Sequence, residues 1–212
     1  MTSEPACVDA GFVSMAGATN RGRSEDDAAA QLAQRAAAGD RAAQRELFHE
    51  LKTYLHATLY RVLGSNAQME DLLQDTFIEV YRSLPSYRAE AKLSTWADRI
   101  AVRVAYRYLE RERAARRGVA AAEPSPLATV DDELLHREGV RRAYEVLARL
   151  EPRSRIAFAL FAIDGRSLRE VADVLGASLV ATKSRIWRAR RELTRAALSD
   201  GVLARYLGGE ES

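Results

Sequence analysis

Two groups of side chains in this sequence have the type and spacing to do chemistry on a charged partner. In the first, Asp71, Gln74, Asp75 and Glu79 recur at three- and four-residue steps, which sets their polar ends on one face of a helix. Two carboxylates one turn apart, Asp71 and Asp75, are the nearest thing to a general acid and base pair. No histidine, cysteine or phosphate-cradling glycine loop stands near them in the sequence, so a solvated or partner-binding acidic face is the better reading than catalysis. The second group is cationic. Arg99, Arg103 and Arg107 fall on successive turns with Tyr106 beside them, and farther on Lys183, Ser184, Arg185, Trp187 and Arg188 crowd one short segment. Guanidinium groups on successive turns suit the regular phosphates of a nucleic acid backbone, and exposed aromatic rings suit an unpaired base.

Helices must carry these groups. Met69, Leu72, Leu73, Phe77, Val80, Tyr81 and Leu84 form a buried stripe behind the acidic face, and Pro85 closes that helix. Ser86 to Leu93 lacks a helical period and reads as a loop, after which Ser94 or Thr95 caps a helix with Trp96, Ile100, Val104 and Tyr108 on its core side. On the amino-terminal side, Ser24 caps a helix running to Ala38. Asp40 caps another, bearing Leu47, Leu51, Leu55, Leu59 and Leu63, that stops at Gly64. Met1 to Arg23, broken by Gly11, Gly17 and Gly22, is expected to be disordered, and Met15 is a second candidate start. Pro124 and Pro126 lie in a connector spanning residues 118–132.

Beyond the connector, Leu134, Leu135, Val140, Tyr144, Leu147 and Leu150 line one helix, and Arg153 to Ile163 make the next. Ser167 and Glu170 are placed for a capping box, and Gly176 marks a sharp turn into a helix whose seam reads Leu179, Thr182, Ile186, Ala189 and Leu193. This is the layout of a helix-turn-helix, and the cations beside the seam fit a major groove. The expected fold class is all-α, two small helical domains joined by a flexible linker, the second a helix-turn-helix.

Composition agrees. Apolar residues make up 47% of 212, enough for real cores, and no run of alternating β-branched residues argues for a sheet. With 32 basic and 30 acidic residues the net charge is only +2, so any nucleic-acid role rests on local clusters. A lone cysteine, Cys7, and three histidines leave no disulfide framework or cysteine-histidine zinc set, and His49 and His56 lack a completing carboxylate; no metal or cofactor is expected. No apolar run approaches the roughly 20 residues of a membrane span, and no signal peptide opens the chain, so a cytoplasmic setting is expected.

The segments Asp71-Leu-Leu-Gln-Asp-Thr-Phe77 and Leu93-Ser-Thr-Trp96-Ala-Asp-Arg-Ile-Ala101 resemble the core domain of extracytoplasmic function (ECF) sigma factors, which direct bacterial RNA polymerase to promoters. The likeness runs from about Asp26 to Leu198. It implies a region 2 domain over 24–117 and a region 4 helix-turn-helix over 133–207. It implies that Asp71, Gln74, Asp75 and Glu79 contact core RNA polymerase, and that the Ser86 to Leu93 loop captures a flipped-out promoter base. It also implies that Trp96, Arg99, Arg103, Tyr106 and Arg107 line the path of the melted strand, and that Lys183, Ser184, Arg185, Trp187 and Arg188 serve the upstream duplex element. Val180-Ala-Thr182 stands where members of that family often carry Gly-Thr-Val, so promoter preference does not carry over. The chain closes soon after its second unit, which sets the expectation of outside control, by an anti-sigma factor. A dimeric helix-turn-helix repressor or activator, binding duplex DNA without polymerase, is the alternative reading.

Overall fold

A computed structural model describes residues 18–65, 67–116 and 132–208, and every element among them is helical. In the first unit α1 spans Ala18–Ala37, α2 Arg41–Leu63, α3 Met69–Ser83 and α4 Leu93–Arg116, with a short 3-10 turn at Leu84–Ser86. In the second, α5 is Asp132–Ala148, α6 Pro152–Phe158, α7 Leu168–Leu175, α8 Leu179–Ala197 and α9 Gly201–Gly208. A π-helical turn, Ala159–Ile163, prolongs α6.

Local chemistry sets most of the boundaries. The Asp40 carboxylate accepts from the amides of Ala42 and Ala43 at 2.8 and 3.2 Å, satisfying two orphan donors at the start of α2. Gly64 ends the same helix with φ +71, where its amide donates to the Tyr60 carbonyl at 2.7 Å. Only glycine takes that conformation at no steric cost. At α7 the reciprocal Ser167 and Glu170 capping box is formed, and Gly176 at φ +57 makes the turn into α8.

Three boundaries differ from expectation. Helix α1 begins at Ala18, six residues before Ser24; a single interior glycine such as Gly22 costs only about 1 kcal/mol, which a 20-residue helix with alanines from Ala28 onward can bear. The expected disorder of Met1 to Arg23 is therefore wrong from Ala18 onward, and residues 1–17 lie outside those described. Ser94 and Thr95 are inside α4 rather than capping it: the helix opens at Leu93, and the Trp96 amide already donates to the Lys92 carbonyl at 3.0 Å. Leu179 is 44% exposed, so the α8 seam starts at Thr182. The connector, 118–132, lies outside the described residues except for Asp132, the first residue of α5.

Leu47, Leu55, Leu59 and Val80 have no exposed surface, and each such side chain contributes about 1.5–3 kcal/mol by leaving water. Helices α2, α3 and α4 enclose this core, with the Tyr81 hydroxyl tied to the Gln44 carbonyl at 2.8 Å. Helix α4 is buried on a second side as well. Asp98 and Val102 are buried, and α4 packs on α6 and α7 of the second unit. One apolar cluster consequently runs from Leu32 through Ile100 to Ile156, Val171 and Ile186. Leu147, Ala189 and Leu193 form a smaller cluster within the second unit.

The second unit has its own ionic staple. Arg142, 8% exposed, bridges Glu138 at 2.8 Å and Asp200 at 2.6 Å, tying α5 to the start of α9. Arg141 first, and Arg142 with it, hold the Glu138 carboxyl down from 4.5 to about 2. A carboxylate depressed by folding stabilises above its unfolded value and loses that contribution as pH falls through the folded one. The urea midpoint should therefore drop between pH 4.5 and 2. Glu138→Gln should start with a lower midpoint at pH 7 and lose that part of the acid-induced fall; a pH profile parallel to that of the native chain would contradict the assignment.

Candidate nucleic-acid interface

Helix α3 turns its stripe of Met69, Leu72, Leu73, Phe77 and Val80 inward, so Asp71, Gln74 and Asp75 face solvent as expected. Ile78, 47% exposed, sits among them, giving the acidic face an apolar centre of the kind a protein partner buries. Phe48, Lys52 and His56 of α2 form the other wall of an open groove along this face. Glu79 is less free. Arg82 lies 3.3 Å from its carboxylate and Arg107 of α4 lies 3.6 Å away, so the acidic face and the arginine ladder meet there.

The loop before α4 is held by its own side chains. The Tyr87 hydroxyl donates to the Ala91 carbonyl at 2.9 Å, and the Tyr87 ring lies 5.1 Å from that of Trp96. Ala89 takes φ +56, an uncommon left-handed conformation for alanine at the loop's tip. Trp96 is half-buried against the core, with one side turned to the loop.

Arg99, Arg103 and Arg107 are exposed along α4, and Tyr106 is half-buried beside them. The structure gives two of the four a partner in the second unit. Arg99 Nε donates to the Asp173 carbonyl at the end of α7, at 3.1 Å, and the Arg153 guanidinium lies 5.3 Å over the Tyr106 ring. Arg99, Arg103, Tyr106, Arg153 and Arg185 line a groove of about 740 Å³ closed on its far side by Ala172 to Ala177.

On α8 the seam of Thr182, Ile186, Ala189 and Leu193 is buried, which turns Lys183, Trp187 and Arg188 out to solvent. Ser178 caps this helix by accepting from the Ala181 amide at 3.2 Å. Arg188 donates to the Ser184 hydroxyl at 3.3 Å, and Arg191 lies 5.4 Å over the 58%-exposed Trp187 ring. Ser184 and Arg185 are half-buried, and of the five only Arg185 lines the α4 groove.

Sequence reasoning missed a second set of polar residues at the same boundary. Asp98, 1% exposed, accepts from the Tyr54 hydroxyl at 2.5 Å and from Thr58 Oγ1 at 3.1 Å, and Arg166 of the second unit reaches it at 2.6 Å. Burial, and then the Asp98 carboxylate, push the Tyr54 hydroxyl far above its ordinary value, so it stays a donor. Burial works against the Arg166 cation, but its hydrogen bond to Asp98 more than offsets that, and its value lies above the ordinary one. One signal was available in the sequence. The apolar arc of α4, from Trp96 and Ala97 through Ile100, Ala101, Val104 and Ala105 to Tyr108 and Leu109, is broader than a single packing face needs.

Comparison with known proteins follows the same division. The family model described as Sigma-70 region 2 matches residues 47–115, and the model described as Sigma-70, region 4 matches 141–193. The ECF RNA polymerase sigma factor SigM of Mycobacterium tuberculosis is 30% identical over 158 residues, covering 74% of this chain and 79% of that protein. The ECF RNA polymerase sigma-E factor of Haemophilus influenzae is 28% identical over 170 residues, covering 75% and 89%. SigG of Mycobacterium tuberculosis is 32% identical over 164 residues, and there the match spans 66% of this chain but only 44% of the relative. Among solved structures, CnrH in complex with the cytosolic domain of CnrY superposes with a TM-score of 0.57 at 28% identity, covering 82% of this chain and 99% of that one.

Trp187 and Arg188 touch no core, so alanine at either should leave stability within about 0.5 kcal/mol while weakening binding to duplex DNA. Thermal melts beside fluorescence anisotropy at low salt separate the two effects, and unchanged anisotropy would remove both residues from the interface.

Proposed function

The chain belongs to the ECF family of RNA polymerase sigma factors, and on that premise we propose that it binds core RNA polymerase, recognises promoter DNA and helps to melt it for transcription initiation. The observation that carries the reading is the division of exposed charge. An acidic face with an apolar centre lies on α3, an arginine ladder on the adjoining α4, and a cationic helix on the far unit. Residues 24–117 serve as region 2, 118–132 as the linker and 133–207 as region 4.

In this reading Asp71, Gln74, Asp75 and Glu79 hold the polymerase. Trp96, Arg99, Arg103, Tyr106 and Arg107 receive the melted strand, with the loop before α4 capturing an unstacked base. Unstacking costs a few kcal/mol, which the grip of Lys183, Ser184, Arg185, Trp187 and Arg188 on the upstream duplex helps to offset. The chain performs no catalysis of its own and works in the cytoplasm; no helix among the described residues is long and apolar enough to cross a membrane. An anti-sigma factor would control it. The solved relatives include CnrH with the cytosolic domain of CnrY, and both family matches weigh against a polymerase-free repressor.

Transcription in vitro with core polymerase across genomic fragments, with start sites mapped, tests the proposal: discrete starts that depend on the chain are expected, and their absence overturns it. Asp75→Arg should reduce capture of core polymerase at least tenfold, a loss of about 1.4 kcal/mol, with an unchanged circular dichroism spectrum. Full capture by that variant would remove α3 from the docking surface.

A further inference from the structure

The face of α8 opposite its seam starts one turn before the cations do. Counting back from Arg188 and Trp187 in steps of three and four leads through Ser184 and Lys183 to Val180, so the five share one side of the helix. Burial agrees. Thr182, Ile186, Ala189 and Leu193 are covered on the other side, whereas Val180 is 80% exposed and Leu179 beside it 44%. Gly176 turns the chain at φ +57 and Ser178 caps the helix, which leaves Ser178, Leu179 and Val180 as an exposed first turn.

A single valine on a surface is ordinary. This one stands in line with the groups that meet duplex DNA, and in a helix-turn-helix the amino-terminal residues of the second helix are the ones set against base edges. The bases present donors and acceptors in the major groove, and one alkyl group, the C5-methyl of thymine. Lys183, Ser184 and Arg188 answer the donors and acceptors. Val180 answers the methyl. At 1.5 Å of rise per residue it lies about 6 Å before Ser184, roughly two base steps of about 3.4 Å, so it meets a base pair that Ser184 does not. Its branched Cβ holds one strongly preferred rotamer in a helix, so its methyl groups are in place before contact and little freedom is lost on binding. Two apolar side chains are too small a surface for a protein partner, whose interfaces bury about 800 Å² on each side.

We propose that Val180 is a specificity-determining residue of this chain, packing on the C5-methyl of a thymine at the edge of the upstream duplex element, next to the base pairs met by Lys183 and Ser184. The inference rests on the duplex-reading role given above to α8.

The experiment uses the full chain and a pool of randomised duplexes, the bound fraction being sequenced for wild type, Val180→Ala and Val180→Ile. Because Val180 is exposed, all three should melt together. Wild type and Val180→Ile should enrich thymine at one position where Val180→Ala does not, with the other preferences unchanged. In the enriched duplex that thymine is then replaced by deoxyuridine, which removes the methyl and keeps the pairing. Fluorescence anisotropy should show a loss of about fourfold for the wild type, the size expected of one buried methyl, and none for Val180→Ala. The same thymine enrichment in Val180→Ala, a deoxyuridine penalty equal in the two proteins or absent from both, or a wild type that selects no sequence overturns the proposal. Transcription with core polymerase separates the two ideas. If the methyl and Val180 are coupled but the wild type starts no transcript, the functional reading falls and the contact stands. If the wild type transcribes and the coupling is absent, the contact falls alone.

Discussion

Helix α4 has to satisfy two cores at once, and the rest of the molecule follows from how it does so. Its large residues, Ile100, Val104 and Leu109, complete the leucine-lined interior formed with α2 and α3. On another side Asp98, Arg99, Val102 and Tyr106 meet the second unit. Only a narrow strip is left for solvent, and the three arginines occupy it. A helix used this fully cannot give up residues to function without cost to packing. The strand-binding candidates accordingly sit at the edges of its buried arc, with Tyr106 and Trp96 half in and half out.

The polar chemistry at the boundary fixes how the two units register on each other. Buried ion pairs are weak sources of net stability, since removing two charges from water costs about as much as their attraction returns. They are strict about geometry. A purely apolar seam between the units would be less particular about register. Asp98 and Arg166, each already held by neighbours within its own unit, match well when together and remain tolerable when apart.

Much of this was legible in the residues. The leucine ladder of α2, the stripe of α3, the Asp40 cap, the Gly64 stop and the Ser167 capping box depend on neighbours no more than four residues away, the range over which periodicity and side-chain chemistry speak. The exposure of Lys183, Trp187 and Arg188 follows from the seam opposite them. What escaped notice was tertiary. Arg166 and Asp98 lie 68 residues apart with no local pattern to join them, and Arg155 finds its acceptors 93 and 92 residues back. Glycine misled at α1, because Gly22 reads as a break in isolation while the helix that follows it extends back through it to Ala18.

The π-turn at Ala159–Ile163 has an effect out of proportion to its size. There the amide of Asp164 reaches back to the carbonyl of Ala159 at 2.9 Å and that of Arg166 to Leu160 at 3.1 Å, one and two residues farther than an α-helix allows. That surplus residue rotates everything after it by about 100°, the angular step of one helical position, and so aims Asp164 and Arg166 at the neighbouring unit. A homologue lacking it would keep a sound reading head for duplex DNA but send both charges elsewhere. The length of this one turn thus decides whether α2 and α4 meet Asp164 and Arg166 at all.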